Sequence, residues 1–392
     1  MKKFLIFTLI ASLTLSSLPG CGNKSLTVDE ADSTSETVTE ENTAHLLKEE
    51  TNKQASDTQS HTESDQQRSV TFTDDIGREV LLPATVNRIV PSSSLAQIIL
   101  YAIAPEMMVG LSNEWYETGR GIIEDSHFEL PVFGNFYSTA DLNVEELALT
   151  APHVIIDIGE PKKSVKEDMD ALQSQTNIPS VFISSSIETM PQTFRTLGQL
   201  LGKEEKAEEL ASYCEKVYER SLHIMAQVKD QKVNTLYLLG EEGLNVIAAT
   251  SYHAELLDLI TNNLAVVDNP ISKGSGNEVT MEQLMLWNPD FIIFGPGSIY
   301  NGVSEMETWN QMKAIQAKNY VEVPDMPHNW MSMPPAVQRY LGLLWLPYVL
   351  YPEYCGYDIK EEILEYHRLF YGCELTDEQY DTITQNAFLI NP

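Results

Sequence analysis

Leu142-Asn143-Val144-Glu145-Glu146-Leu147-Ala148-Leu149-Thr150-Ala151-Pro152-His153-Val154-Ile155-Ile156 recurs in outline as Val279-Thr280-Met281-Glu282-Gln283-Leu284-Met285-Leu286-Trp287-Asn288-Pro289-Asp290-Phe291-Ile292-Ile293. In each copy a Glu precedes a Pro by seven residues, and an apolar-patterned helix runs through Pro into a short buried strand. Each strand then meets a Gly-containing loop, Gly159-Glu160-Pro161 or Gly295-Pro296-Gly297. One helix–Pro–strand unit is a common α/β element. Two copies in matched positions predict two related lobes. Facing α/β lobes leave a cleft, where small ligands usually bind, beyond the carboxyl ends of the strands.

The flanking sequence has the same alternation. Val70-Thr71-Phe72, a turn at Asp74–Glu79 and Val80 read as strand, turn and strand. Arg88-Ile89-Val90-Pro91 is a buried strand, and Ser92-Ser93-Ser94 caps a helix over 95–103. Met107–Leu111, Pro152–Asp157, Asn234–Leu239 and Phe291–Phe294 are further strands. Helices are expected over 142–149, over 252–260 and, for the most part, from Pro335 onward. Residues 189–229 have helical composition, with a possible break at Gly202, and are expected to link the lobes. The predicted fold is α/β: two Rossmann-like lobes, 69–188 and 233–392 with a helical tail, joined by one long helix with the ligand cleft between them.

The amino terminus has a different character. Met1-Lys2-Lys3, an apolar run from Phe4 to Leu15 and Leu18-Pro19-Gly20-Cys21 make a signal peptide over 1–20. The ending resembles a bacterial lipobox, which implies lipidation of Cys21 and attachment to the extracytoplasmic face of the cell membrane. Residues 22–68 contain no Phe, Trp or Tyr and are rich in Ser, Thr, Glu, Asp and Gln. They cannot bury enough apolar surface to order themselves and are expected to form an acidic tether.

The formal charge is −32, from 25 Lys and Arg against 57 Asp and Glu, which argues against nucleic acid as a partner. Of four cysteines, Cys214, Cys355 and Cys373 remain beside Cys21. Cys355 and Cys373 could pair as a disulfide or stay as buried thiols. No Gly-x-Ser-x-Gly elbow, His-Glu-x-x-His motif or P-loop supports an enzyme. An adhesin has no need of a duplicated cleft.

The Arg88–Ser92 segment leading into a helix, then Val109-Gly110, then the units around Glu145 and Glu282, resemble the iron-complex and cobalamin substrate-binding proteins of ABC importers, over residues 70–370. The resemblance implies two lobes on a rigid linking helix with little motion between them. It implies a monomer without an intrinsic cofactor, carrying an iron complex such as a siderophore, or alternatively cobalamin, haem or a small metal species or oxyanion such as molybdate. It further implies that Glu145 and Glu282 dock onto arginines of a permease dimer. A helix-dipole role for these two glutamates is the plainer alternative.

By the same logic the cleft loops supply the ligand contacts. These are Ser93, Ser94, Trp115, Tyr116, Phe136 and Tyr137 on the first lobe. On the second they are Tyr252, His253, Lys273, Ser275 and Tyr300, with Trp330, Met331 and Arg339 at the mouth. Aromatics beside hydroxyls suit an organic metal chelate. Arg339 serves either a ligand or a neighbouring carboxylate. Met331 or Met333 with His253 or His328 could ligate haem iron, but no spacing singles them out. Arg120, Lys273 and Arg339 are few cations for a strongly anionic chelate.

Overall fold

The computed structural model describes residues 68–134, 136, 142–271 and 274–389. The signal peptide, Cys21 and nearly all of the tether lie outside the described residues, as do Tyr137 and Lys273. The chain opens with an antiparallel hairpin, β1 (Ser69–Thr73) and β2 (Glu79–Pro83). Its turn is closed by Asp74, whose Oδ1 accepts the N–H groups of Ile76 (3.2 Å) and Arg78 (2.8 Å). The Arg78 guanidinium then donates to the Ser180 carbonyl at 2.8 Å and pins the hairpin to the first lobe.

That lobe comprises β3 (Ile89–Pro91), α1 (Ser94–Ile103), α2 (Val144–Leu149), β4 (Val154–Gly159), α3 (Val165–Thr176) and β5 (Ser180–Ser184). The strands form a parallel sheet in the order β3-β4-β5. All six β4 residues are buried, as expected of a parallel strand covered on both faces. The strand expected over 107–111 is absent. Pro105 opens a 3₁₀ turn, and Met108 and Leu111 make only isolated bridges to Ile89 and Val132. Gly110 admits the Phe133 ring, to which a Cβ there would lie at 2.1 Å.

In place of one linking helix over 189–229 there are two, α4 (Met190–Leu201) and α5 (Glu204–Val228). Gly202 separates them in the left-handed conformation (φ +64°), which glycine adopts without steric cost. The helices fold back on each other. At Gly198 a Cβ would meet that of Ala207 at 2.5 Å. Arg195 clamps the pair through Glu208 (2.7 Å) and Glu215 (2.6 Å).

The second lobe contains β6 (Asn234–Leu239), β7 (Asn245–Val246), α6 (Glu255–Ile260), β8 (Asn262–Asn263) and β9 (Asn277–Glu278). It continues with α7 (Met281–Trp287), β10 (Phe291–Phe294), α8 (Lys313–Gln316) and β11 (Tyr320–Glu322). The sheet order is β11-β10-β6-β7-β9, with β8 also on β6. β6, β8, β10 and β11 run parallel, and β7 is antiparallel to its neighbours. Residues 252–254 form a 3₁₀ turn ahead of α6.

The tail is α9 (Arg339–Leu350), α10 (Ile359–Tyr371) and α11 (Asp377–Ile383). Its first helix begins at Arg339, not at Pro335. The tail is not confined to the second lobe, because α10 packs on α1 and α9 packs on α5. Ile99, Leu197, Val217, Tyr237 and Leu343 thus share one apolar cluster running through both lobes. Cys214, Cys355 and Cys373 are free thiols.

Gly342 on α9 lies so close to the Trp330 carbonyl that a Cβ would sit 2.4 Å from its oxygen. Gly342→Ala is therefore expected to lower stability by about 1–3 kcal/mol, although alanine is the better helix former. Urea denaturation checks this, and a stabilised variant would refute the packing argument.

Candidate ligand cleft

The first lobe brings the carboxyl end of β4 and the start of α1 to one side of a cleft. The second lobe brings the turn before α6 to the other, and the space encloses about 520 Å³. Ser93 is the N-cap of α1, its Oγ accepting the Ala96 N–H at 3.3 Å. Beneath it the Ser92 hydroxyl donates to Asp157. Burial pushes the Asp157 carboxyl up to about 7, against the opposing pull of Ser92 and the Ile158 N–H. Glu160, Lys162 and Asp168 complete the charged lining.

Tyr252 and His253 face these groups from the second lobe. The Tyr252 hydroxyl donates to the Ser185 carbonyl at 2.8 Å and so spans the lobes. His253 Nδ1 lies 2.8 Å from the Ser332 carbonyl oxygen. A carbonyl only accepts, so Nδ1 carries the proton and Nε2 keeps its lone pair. Burial holds the imidazole below its ordinary range, with the Ser332 contact opposing, so the ring stays neutral. Gly274 borders the same ring, with a Cβ placed 3.8 Å from His253 Cε1. Ser275 follows it, exposed.

Arg339 proves to be a carboxylate's partner. It is fully buried, with Nη1 2.6 Å from Glu255 Oε2 and its guanidinium 5.1 Å over the Tyr252 ring. Glu255 also accepts the Ile187 N–H at 3.3 Å. Trp330 and Met331 are buried in the shared core. Tyr300 packs on Phe294 and Tyr320 in the second lobe, and Phe136 lies in the first-lobe core. Trp115 is buried edge-on to Tyr101 (5.5 Å), while Tyr116 is exposed. Ser94 Oγ donates to Asn113 at 2.7 Å. His328 is buried, and burial pushes its imidazole down to about 3.

Of the fourteen residues expected at the cleft, the lining therefore includes Ser93, Tyr252 and His253. Sequence reasoning passes over Asp157, Glu160, Lys162 and Asp168. The available signal was a lone carboxylate, Asp157, near the end of an otherwise apolar strand beside a Gly loop. Among the described residues no group of three His, Cys, Asp or Glu is placed to hold a metal ion. A wider groove of about 810 Å³ lies between α1 and α10, but none of the residues lining it belongs to a strand of either sheet.

Glu145 and Glu282 are exposed in the first turns of α2 and α7. The N-caps match: Asn143 accepts the Glu146 N–H and Thr280 the Gln283 N–H, both at 3.2 Å. The Glu282 carboxyl is held below the usual range by its own backbone N–H and by Thr280.

Residues 129–327 match the model of a periplasmic binding protein family. An ABC transporter solute binding protein from Sulfurospirillum deleyianum is 27% identical, with a TM-score of 0.74 over 80% of this chain and 99% of that one. A periplasmic solute binding protein from Veillonella parvula is 23% identical (TM-score 0.66; 82% and 98% covered). The molybdate-bound MolA of Haemophilus influenzae is 19% identical (TM-score 0.62; 78% and 99% covered). The last two likenesses concern the fold alone. No curated protein matches the chain.

Removing Glu255 would leave the Arg339 guanidinium buried without a counter-charge. Glu255→Gln is expected to cost about 3 kcal/mol, and Glu255→Met with Arg339→Met to recover much of that loss. A double-mutant cycle in urea checks this, and additive losses would refute the pairing.

Proposed function

The chain belongs to the periplasmic binding protein family, and on that premise we propose that it is the solute-binding component of an ABC importer that captures a metal chelate, an iron complex foremost. It is a binder and not an enzyme. It delivers its ligand to a membrane permease. The observation that carries this reading is the cleft's chemistry. A neutral His253, its Nδ1 proton held by a backbone carbonyl, stands among Asp157, Glu160 and Asp168 against Lys162. An oriented imidazole with a free Nε2 lone pair suits a borderline metal with an open coordination position. The surrounding carboxylates favour a chelate of neutral or positive net charge.

The same lining disfavours an oxyanion such as molybdate, the ligand of MolA. Arg339 is already engaged by Glu255. A haem or corrin ring is a second class, favoured only by the Tyr252 ring at the cleft wall. No described helix is long and apolar enough to cross a membrane. Attachment through a lipid on Cys21 is part of the proposal, as is docking on the permease through Glu145 and Glu282. Two rim carboxylates on related lobes would set register and encounter rate more than affinity.

Thermal denaturation of the purified full-length chain with ferric siderophores, nickel–histidine, haemin, cyanocobalamin and molybdate tests this. A neutral or cationic metal chelate is expected to stabilise the protein by about 2.7 kcal/mol at a hundredfold excess over Kd, and molybdate to leave it unchanged. His253→Ala should weaken chelate binding by about tenfold, in line with roughly 1.4 kcal/mol. Stabilisation by molybdate alone would overturn the assignment.

A further inference from the structure

The two most exposed large apolar side chains among the described residues are Leu149 (86%) and Leu286 (77%). Both lie in the last turn of the helices of the duplicated unit, at matched positions. Single exposed leucines are ordinary on protein surfaces. Two in register across related lobes are not explained that way. Val266 is exposed to a similar degree (74%) and has no counterpart in the other lobe.

The match extends to the surroundings. Leu149 and Leu286 lie four residues after Glu145 and Glu282, on the same helix face. Leu147 and Leu284 are fully buried and fix which face turns outward. Ala151 (φ 44°) and Asn288 (φ 40°) turn each chain through the left-handed region into Pro152 and Pro289. Alanine rarely adopts that conformation, so the geometry of the unit is maintained even where its residue type is poorly suited. Neither glutamate is in an ion pair among the described residues.

We infer that Leu149 and Leu286 are the apolar half of a duplicated docking surface, each seated with its glutamate in one of two matching sockets on the permease dimer. The inference rests on the importer reading above. It adds that each socket presents an apolar hollow within one helical turn of its cation. The carboxylates steer and set register, while desolvation of the leucines supplies the affinity that exposed charges do not. A second copy of this chain is a poor occupant, because it would set glutamate against glutamate.

The test uses the full-length chain in its own cells, with a photo-crosslinking phenylalanine at position 149, 286 or, as control, 266. Positions 149 and 286 should both crosslink to one multi-spanning membrane protein, and 266 should not. Crosslinks to a soluble protein, to another copy or to nothing overturn the inference. Binding of the Cys21→Ser full-length chain to that membrane protein in nanodiscs supplies the second readout. Leu149→Ser and Leu286→Ser should each weaken it about tenfold with unchanged melting temperature. If Glu145→Arg with Glu282→Arg abolishes binding while the serine variants bind normally, the leucine inference fails and glutamate docking stands. If neither pair matters, the docking reading itself fails.

Discussion

Arg339 stands fully buried at the start of α9 with one carboxylate, Glu255, against it. Removing a guanidinium from water is costly, and the attraction to a half-exposed carboxylate offsets that cost only where the geometry is fixed. Several features of the cleft depend on this fixed geometry. The guanidinium lies over Tyr252, and the Tyr252 hydroxyl reaches across to Ser185. Glu255 holds the Ile187 N–H, while the Tyr340 hydroxyl donates to the Ile187 carbonyl at 2.5 Å. A buried ion pair of this kind specifies position more than it stabilises. Here it sets the second-lobe wall of the cleft against the end of β5.

The same stitching bears on motion. Lobes joined only by a flexible strand pair can hinge widely. In this protein α5, at roughly 1.5 Å per residue, forms a continuous rod. The tail packs against it and against α1, so one apolar cluster passes through both lobes. Opening the cleft would strip part of that cluster of its contacts, and close-packed interiors yield little without such loss. A cleft held by such packing is expected to change little in shape when it is filled.

The cleft lining sets three carboxylates, Asp157, Glu160 and Asp168, against one lysine, Lys162. Asp157 lies within a strand buried along its whole length, and its carboxyl is pushed up to about 7. Near neutrality it can be present in either form, so the charge offered to a ligand depends on what the ligand brings. On the function proposed above, a cationic centre would favour the carboxylate, and the lone pair of His253 would be offered to its metal.

The sequence alone determined the α/β class, the duplicated helix–Pro–strand unit and the positions of β3, α1, β4, β6 and β10. Each of these is written in local pattern: apolar runs of strand length, Ser93 as a cap, Pro152 and Pro289 ahead of buried strands. It also marked His253 and Tyr252, because they follow a turn in a predicted cleft loop. Only the tertiary structure decided that Trp330, Met331, Tyr300 and Phe136 are core. An aromatic side chain in a loop has the same sequence signature whether it faces a ligand or the interior. Only packing tells the two apart. The fate of Arg339 was settled the same way, since its partner Glu255 lies far off in sequence. The division of 189–229 into two antiparallel helices turned on one left-handed glycine and on Gly198, where the absence of a Cβ admits Ala207. Such close approaches depend on what stands opposite, and that is a property of the folded chain.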